Sequence, residues 1–317
     1  MLTVLCLAVV ASFCFSRFAP VARGRRVALG ALVTAALLSD SWASAMPVVP
    51  AHRTWNCERP PVAAASLVMM PVGQGLVDLR AMDLAMQWRI ASVNGTSGYL
   101  APHYMSVVYG LGARDHALLD DLAGDRGLLV AVPPRPGSWR QYVASHPRAE
   151  QVGACDGHDI FHIRGEGGRS NMPPPTVIGE SVRIVRLTAD AAAALLPFAL
   201  DGDRRTRWHS GEQDDAHWLQ ADLGEGRLIT GAVLEAGTFA MDFPRYLTVS
   251  ISVDERSWDV VWSGPTHRAM LTATVRDPGR APLTISIPPR EGRYVRFHQS
   301  GYDRTYWSVA ELAIFAR

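Results

Sequence analysis

The chain has 317 residues, 48% of them apolar and 19% charged, which is enough for two domains with cores of useful size and a further short segment. Its 31 basic and 30 acidic residues leave a net charge of +1 and no long basic block, so nothing supports nucleic-acid binding through phosphate neutralisation. With 27 glycines and 21 prolines, and few runs of lysine or glutamate, the composition favours strands and loops over a helical bundle.

The N-terminal part is the apolar one, with a run from Leu2 to Phe15 and another from Val27 to Leu38, separated by Arg17, Arg23, Arg25 and Arg26. Two readings follow. In one, both runs are short membrane helices joined by a basic cytoplasmic loop, which places everything after Met46 outside the cytoplasm. In the other, Arg23 to Arg26 opens a signal peptide, Val27 to Leu38 is its apolar core and Ala43-Ser-Ala45 its cleavage site, so the chain is secreted. Each run is near or below the length that spans a bilayer, and Asp40 limits the second. Membrane attachment is the expectation carried forward, and the abrupt apolar start at Met1 suits the tail of a polytopic protein. Cys57 and Cys155 fall in the exported part, where a disulfide between them is expected; two free thiols are the alternative. Cys6 and Cys14 lie in the first apolar run, and no spacing suggests zinc.

The region from Pro47 to Arg164 alternates apolar runs with helical patterns and predicts a small α/β domain. Ser66 to Met70 reads as a strand, and Leu76 to Ile90 as a helix with Leu76, Leu79, Met82, Met86 and Ile90 on one face. Arg114 to Leu122 continues helically, Gly127 to Val132 is β-rich, Ser138 to Ser145 is a short helix, and Asp159 to Ile163 is a last strand. Asp78, Asp83, His103 and Tyr104 invite comparison with a catalytic cluster. No nucleophile motif or phosphate loop accompanies them, so Asp78 and Asp83 are read as solvating a helix face. Asn94-Gly-Thr96 fits either a glycosylation acceptor or a plain turn.

Residues 165–180, rich in glycine and proline, read as a linker that leaves the C-terminal domain free to move. Beyond it, Asp201-Gly-Asp203 and Thr206 cluster hard oxygens around a tight turn, which suits Ca²⁺ as well as it suits a metal-free Asp-Gly hairpin. Short β-rich runs then follow at Ile229–Leu234, Tyr246–Val253, Trp258–Trp262, Leu283–Ile287 and Tyr294–His298.

The order of Trp208-His209-Ser210, Trp218-Leu-Gln-Ala-Asp-Leu-Gly224, the Tyr246 strand with Trp258, Gly292-Arg-Tyr-Val-Arg-Phe297 and Trp307-Ser-Val-Ala-Glu-Leu312 resembles the F5/8 type C, or discoidin, family over 181–317. The resemblance implies a jelly-roll sandwich of about eight strands with Trp218 and Trp258 packed inside. It also implies a structural Ca²⁺ held by Asp201, Asp203, Thr206, main-chain oxygen of Ala199 and Glu311. A ligand site is implied at the loop end beside this turn, where His209, Arg245, Tyr302, Arg304 and Tyr306 have the chemistry to hold a sugar. Phe239, Met241 and Phe243 could instead be apolar spikes for a phospholipid surface. Separately, Trp88-Arg, Asn94-Gly, Ser97-Gly98-Tyr99 and Pro102 resemble the soluble C-terminal domain of glycosyltransferase C superfamily membrane proteins, over about Ser66 to Val132.

The expected architecture is a mostly β, galactose-binding-like jelly-roll sandwich at 181–317, a linker at 165–180, a small α/β domain at 46–164 and apolar membrane helices within 1–45. The expected function is carbohydrate recognition by a non-catalytic, membrane-attached, extracytoplasmic protein. The alternatives are the non-catalytic C-terminal part of a membrane glycosyltransferase and a phospholipid-headgroup module.

Overall fold

The computed structural model describes residues 22–40, 55–95, 100–133, 137–166 and 176–317, with Phe13 and Arg17. The second apolar run lies in helix α1 (Arg23–Asp40), whose 18 residues extend about 27 Å. Among the described residues, no helix is long and apolar enough to cross a membrane. The first apolar run apart from Phe13, both of its cysteines and Ala43 to Ala45 lie outside the described residues.

The α/β domain is built on a five-stranded sheet of order β2-β1-β3-β5-β4. Its strands are β1 (Ser66–Met69), β2 (Ala91–Ser92), β3 (Leu128–Val132), β4 (Ala149–Cys155) and β5 (His158–Ile163). β1 pairs in parallel with β2 and β3, whereas β5 pairs antiparallel with β3 and β4. Every residue of β3 is buried, as its unbroken Leu-Leu-Val-Ala-Val run requires of a strand covered on both faces. The helices are α2 (Gly75–Trp88), α3 (Tyr104–Gly112), α4 (His116–Ala123) and α5 (Ser138–Ala144). The stretch expected to continue helically from Arg114 begins instead at His116, where Asp115 caps α4 by accepting from Ala117 N at 2.9 Å. α5 starts after Gly137, its N-cap.

Helix α2 forms where expected but turns a different face inward. Leu76 is 79% exposed and Leu79 and Met86 are also exposed, while Asp78, Ala81, Leu84, Ala85 and Trp88 are buried. Both stripes obey helical spacing, and the one with small residues at its centre lets the helix approach β1 closely. Asp78 is thus a buried group and not a solvated one. Its carboxylate accepts from Asn94 Nδ2 at 2.8 Å and from Gly73 N at 3.2 Å. Asn94 also bonds Met69 N and O, so its buried amide is spent on the sheet edge and unavailable to a glycan; Thr96 lies outside the described residues. His103 is the residue before α3, and burial, with Asp78 beside it, pushes the Tyr104 phenol above its usual range. Cys57 and Cys155 form a disulfide with Cα atoms 5.4 Å apart, tying the segment before β1 to the end of β4.

The C-terminal part is a β-sandwich with a seven-stranded and a two-stranded sheet. The large sheet runs β11-β10-β12-β9-β14-β6, with β7 also pairing with β9. Its strands are β6 (Glu180–Val182), β7 (Arg186–Ala189), β9 (Trp218–Glu235), β10 (Tyr246–Ser252), β11 (Asp259–Pro265), β12 (Pro282–Ser300) and β14 (Glu311–Ala316). β8 (Trp208–Asp214) and β13 (Tyr302–Val309) form the small sheet. Leu219, Leu247, Val249, Ile285, Phe297 and Ile314 are among the residues of the core, where Trp208 and Trp307 meet edge to face at 5.0 Å. Trp218 and Trp258, expected inside, are half-buried on the flank. Arg296 lies against both rings, 4.0 Å from the centroid of Trp258 and 5.2 Å from that of Trp218, because its guanidinium bonds Gln220 Oε1 and sits between them.

A helix the sequence did not announce, α6 (His267–Arg276), lies between β11 and β12 and packs on α3. His267 Nε2 is 2.7 Å from Asp115 Oδ2, and Arg268 donates twice to the Asp121 carboxylate. At Gly110 of α3, a Cβ would come within 2.5 Å of His267 Cδ2 and 2.4 Å of Leu118 Cδ2, so only glycine admits the two helices at this spacing. The sandwich, expected to move freely, is therefore docked on the α/β domain by a buried contact.

Candidate functional site

The turn 201–206 follows a 3-10 helix that ends at the buried Ala199. Asp201 Oδ1 accepts from Asp203 N at 2.8 Å, and Thr206 Oγ1 lies 2.8 Å from both Asp201 Oδ2 and Asp203 O. Glu311, at the start of β14, reaches the turn and accepts from Gly202 N at 2.5 Å. The Asp203 carboxylate points away, into a two-pronged pair with Arg205, which contributes to holding it down at about 2. Asp203 therefore offers the turn its carbonyl in place of the carboxylate expected of it. Burial and the nearby Asp201 charge push the Glu311 carboxyl above its usual range. Two carboxylates within mutual repulsion, a hydroxyl and a main-chain oxygen fit a hard divalent cation that would relieve the repulsion. Among the described residues no group of three or more His, Cys, Asp or Glu side chains could hold a metal, so any cation here depends on those neutral oxygens as well.

The turn is fixed to the sandwich by Glu235. Burial would raise this carboxyl, but bonds from Arg280 and Arg204 hold it below its usual range. Arg204 O in turn accepts from Thr238 N, which ties the turn to the loop after β9.

β8 leaves the turn at Trp208, anchored in the core, and so presents the next residue, His209, on the loop face. His209 stacks on Tyr306 of β13, with ring centroids 4.8 Å apart and planes 18° apart. Its Nδ1 is buried with no hydrogen-bond partner among the described residues, and burial together with the Arg207 charge lowers its pKa, favouring the neutral ring. Arg207 pairs with Asp242 and lies 3.9 Å over the Phe239 ring; Ser308 Oγ donates to the same Asp242 carboxylate at 3.1 Å. The sequence reading missed Arg207 and Asp242, though Arg207 stands beside Trp208 in the motif. Tyr306 is 38% exposed, Tyr302 is 77% exposed, and Arg304 is exposed between them.

Arg245 does not join this face. It is wholly buried, with Nε on Asp303 Oδ2 at 2.8 Å, Nη2 on Thr305 Oγ1 at 2.6 Å and Nη1 on Phe243 O at 3.3 Å. A planar donor fork surrounded by a carboxylate, a hydroxyl and a carbonyl is satisfied where it stands, so Arg245 braces β13 from behind and reaches no ligand. Tyr109 of α3 rests beside it, 5.1 Å from ring centroid to guanidinium. The apolar spikes are likewise reduced: Phe243 is buried and Phe239 lies under Arg207, leaving Met241 exposed.

Among solved structures, the chain is similar to the CBM32 of AlyQ in complex with 4,5-unsaturated mannuronic acid, at 24% identity and a TM-score of 0.34, over 43% of this chain and 98% of that one. It is similar to chitosan-binding module 1 of a chitosanase/glucanase from Paenibacillus sp. IK-5, at 20% identity and 0.34, over 44% and 99%. It is also similar to CpGH89CBM32-5 from Clostridium perfringens in complex with GalNAc-β-1,3-galactose, at 18% identity and 0.32, over 41% and 94%. A comparison with curated proteins finds no match. The family model of the F5/8 type C domain matches residues 188–312, a span that holds the 201–206 turn, the His209–Tyr306 stack and all the strands from β8 to β13, and this part of the chain is an F5/8 type C domain.

Proposed function

We propose that the C-terminal domain binds a carbohydrate at the His209–Tyr306 face and that the chain acts by recognition, not catalysis. The observation that carries this is the stacked pair itself: the exposed Tyr306 ring, held in place by the His209 imidazole, offers an apolar face for the C–H side of a pyranose. Lowering of the His209 pKa by burial and Arg207 favours the neutral ring, which stacks on Tyr306 without adding a charge to the face. Tyr302 and Arg304, exposed on the same strand, add a second ring and a cationic donor. A Ca²⁺ ion in the turn would hold Asp201, Glu311, Thr206 and Asp203 O together and stiffen the base of the face. The loop with one exposed apolar residue, Met241, favours a sugar over a lipid surface. An extracytoplasmic, membrane-attached location is part of the same proposal, supported by the Cys57–Cys155 disulfide, which persists in oxidising compartments, and by the basic residues between the apolar runs.

A glycan array on the full chain, followed by calorimetric titration of the best hit, tests the binding reading. Tyr306→Ala should weaken binding at least about tenfold, since it removes the platform, with His209→Ala acting in the same direction. Sugar binding that survives both substitutions overturns the assignment. For location, an alkaline phosphatase fusion after Arg164 should be active, and an inactive one refutes export.

A further inference from the structure

The α/β domain contains a cavity of about 580 Å³ that none of the readings above uses. Its wall is formed where three strands end: Ala63, Ala64 and Ala65 lead into β1, Asp125 and Arg126 come just before β3, and His162, Arg164 and Gly165 close β5. The floor is backbone packed without slack. At Gly127 a Cβ would stand 2.7 Å from Ala63 O and 2.8 Å from His162 Nε2, and at Gly165 one would stand 2.5 Å from Asp125 O. Arg59 is clamped at the rim by two carbonyls, Ala64 O at 3.0 Å and Trp88 O at 3.5 Å. His162, buried, is tied by Nε2 to Ala63 O at 3.0 Å.

We infer that this cavity binds a small molecule through a phosphate group. Three guanidinium groups line it, and among the described residues neither the Arg126 nor the Arg164 side chain has a hydrogen-bond or ion-pair partner. The one carboxylate in the lining, Asp125, already has an interaction of its own. Two unpaired cations facing one concave space repel each other, and an oxyanion between them removes that repulsion while meeting their planar donor forks. A bare ion would leave most of the volume empty, whereas a phosphomonoester of sugar size fills a cavity of this class. The phosphate could belong to a soluble metabolite or to a lipid headgroup, and both present the same group to the arginines. This site is separate from the His209–Tyr306 face and does not depend on it.

The full chain is titrated by calorimetry with inorganic phosphate and with glucose 1-phosphate, and mixed with phosphatidylcholine vesicles with and without phosphatidic acid. The same runs are repeated with Arg126→Gln/Arg164→Gln. Both side chains are exposed and unpartnered, so the double variant should melt like the wild type. The expected result is saturable binding that weakens at least about tenfold in the double variant and weakens with added salt. Binding of glucose 1-phosphate assigns a soluble source; arginine-dependent binding of phosphatidic acid vesicles alone assigns the headgroup. The proposal is overturned if no probe binds, or if binding is the same in the double variant. Neutral-sugar binding at the other site should be equal in both proteins, so a failure here leaves that reading intact.

Discussion

Replacing Arg245 with alanine should lower the stability of the sandwich by about 3–5 kcal/mol, the usual cost of removing one partner of a buried ion pair. The figure follows from what is left behind. Arg245 is fully buried, and its loss takes the paired cation from the Asp303 carboxylate, which keeps its bonds from Thr305, removes one bond each from the Thr305 hydroxyl and the Phe243 carbonyl, and opens space against the Phe243 ring 4.0 Å from the guanidinium. In the native protein burial pushes Asp303 up, but the bonds from Arg245 and Thr305 win and hold its pKa below the usual aspartate value. A depressed carboxyl contributes stability above its unfolded pKa and loses it as the pH falls through the folded one. In the variant the bonds from Thr305 N and Oγ1 remain while those from Arg245 are lost, so the Asp303 pKa should rise relative to the wild type and the loss of stability on acidification should shrink. Urea unfolding of the wild type, Arg245→Ala, Asp303→Asn and the double variant at neutral and acid pH measures both effects. Arg245→Ala should be worse than the double variant at neutral pH, because the latter leaves no buried charge unpaired. An unchanged midpoint in Arg245→Ala, with sugar binding lost, would refute the reasoning and return Arg245 to the ligand face.

Calcium at a hundredfold excess over its dissociation constant should stabilise the sandwich by about 2.7 kcal/mol, seen as a raised melting temperature that chelator reverses and Asp201→Ala abolishes. Because the Glu311 carboxyl sits above its usual value, the metal-free fold should gain stability as the pH falls through that raised pKa, and calcium binding should weaken over the same range; equal calcium affinity on both sides of it would argue against Glu311 as a ligand. Reducing the Cys57–Cys155 bond, or Cys57→Ser, opens a loop of 98 residues and should cost the α/β domain about 4–5 kcal/mol by chain entropy, measured as a drop in its urea midpoint with the sandwich transition retained. Gly110→Ala should force α3 from α6 at a cost of about 1–3 kcal/mol, and limited proteolysis should then cut near residues 265–280 faster than in the wild type; identical cleavage rates would mean the helices part without strain.

What could be read from the sequence divides along physical lines. Five runs of the sandwich were legible because they are short and β-rich, end at turn residues and in several cases alternate in polarity, and the motifs fall in a fixed order from Asp201 to Trp307. Strand β4 was missed because Ala149 to Cys155 is exposed at the sheet edge and carries almost no apolar signal. The face of α2 was misassigned because Leu76, Leu79 and Met86 make the more apolar stripe. Hydrophobicity alone does not reveal that small Ala81 and Ala85 are what β1 admits, or that Asp78 finds two donors inside. Helix α6 was invisible for the opposite reason: its inward residues, His267, Met270, Ala273 and Thr274, form no apolar run, and it is held by a His267–Asp115 hydrogen bond and an Arg268–Asp121 ion pair to residues more than 140 positions away.

The same distinction decides the ligand face. Residue chemistry selected His209, Tyr306 and Arg245 alike, since all three suit a sugar, but in a β-strand the neighbours on each side point opposite ways. On β13 the outward set is Tyr302, Arg304 and Tyr306, while Asp303 and Thr305 turn inward, where Arg245 meets them. Arg245 is thus specified by the inward residues of the strand whose outward residues form the candidate face. That pairing gives it a role at one remove: by holding Asp303 and Thr305 it fixes which side of β13 Tyr306 occupies, and a one-residue slip would bury Tyr306 and break its stack on His209. Loss of Arg245 should therefore reduce sugar affinity only in proportion to the loss of folded protein, whereas Tyr306→Ala should reduce affinity in protein that remains folded, and measuring both affinity and melting temperature for each variant separates a brace from a contact.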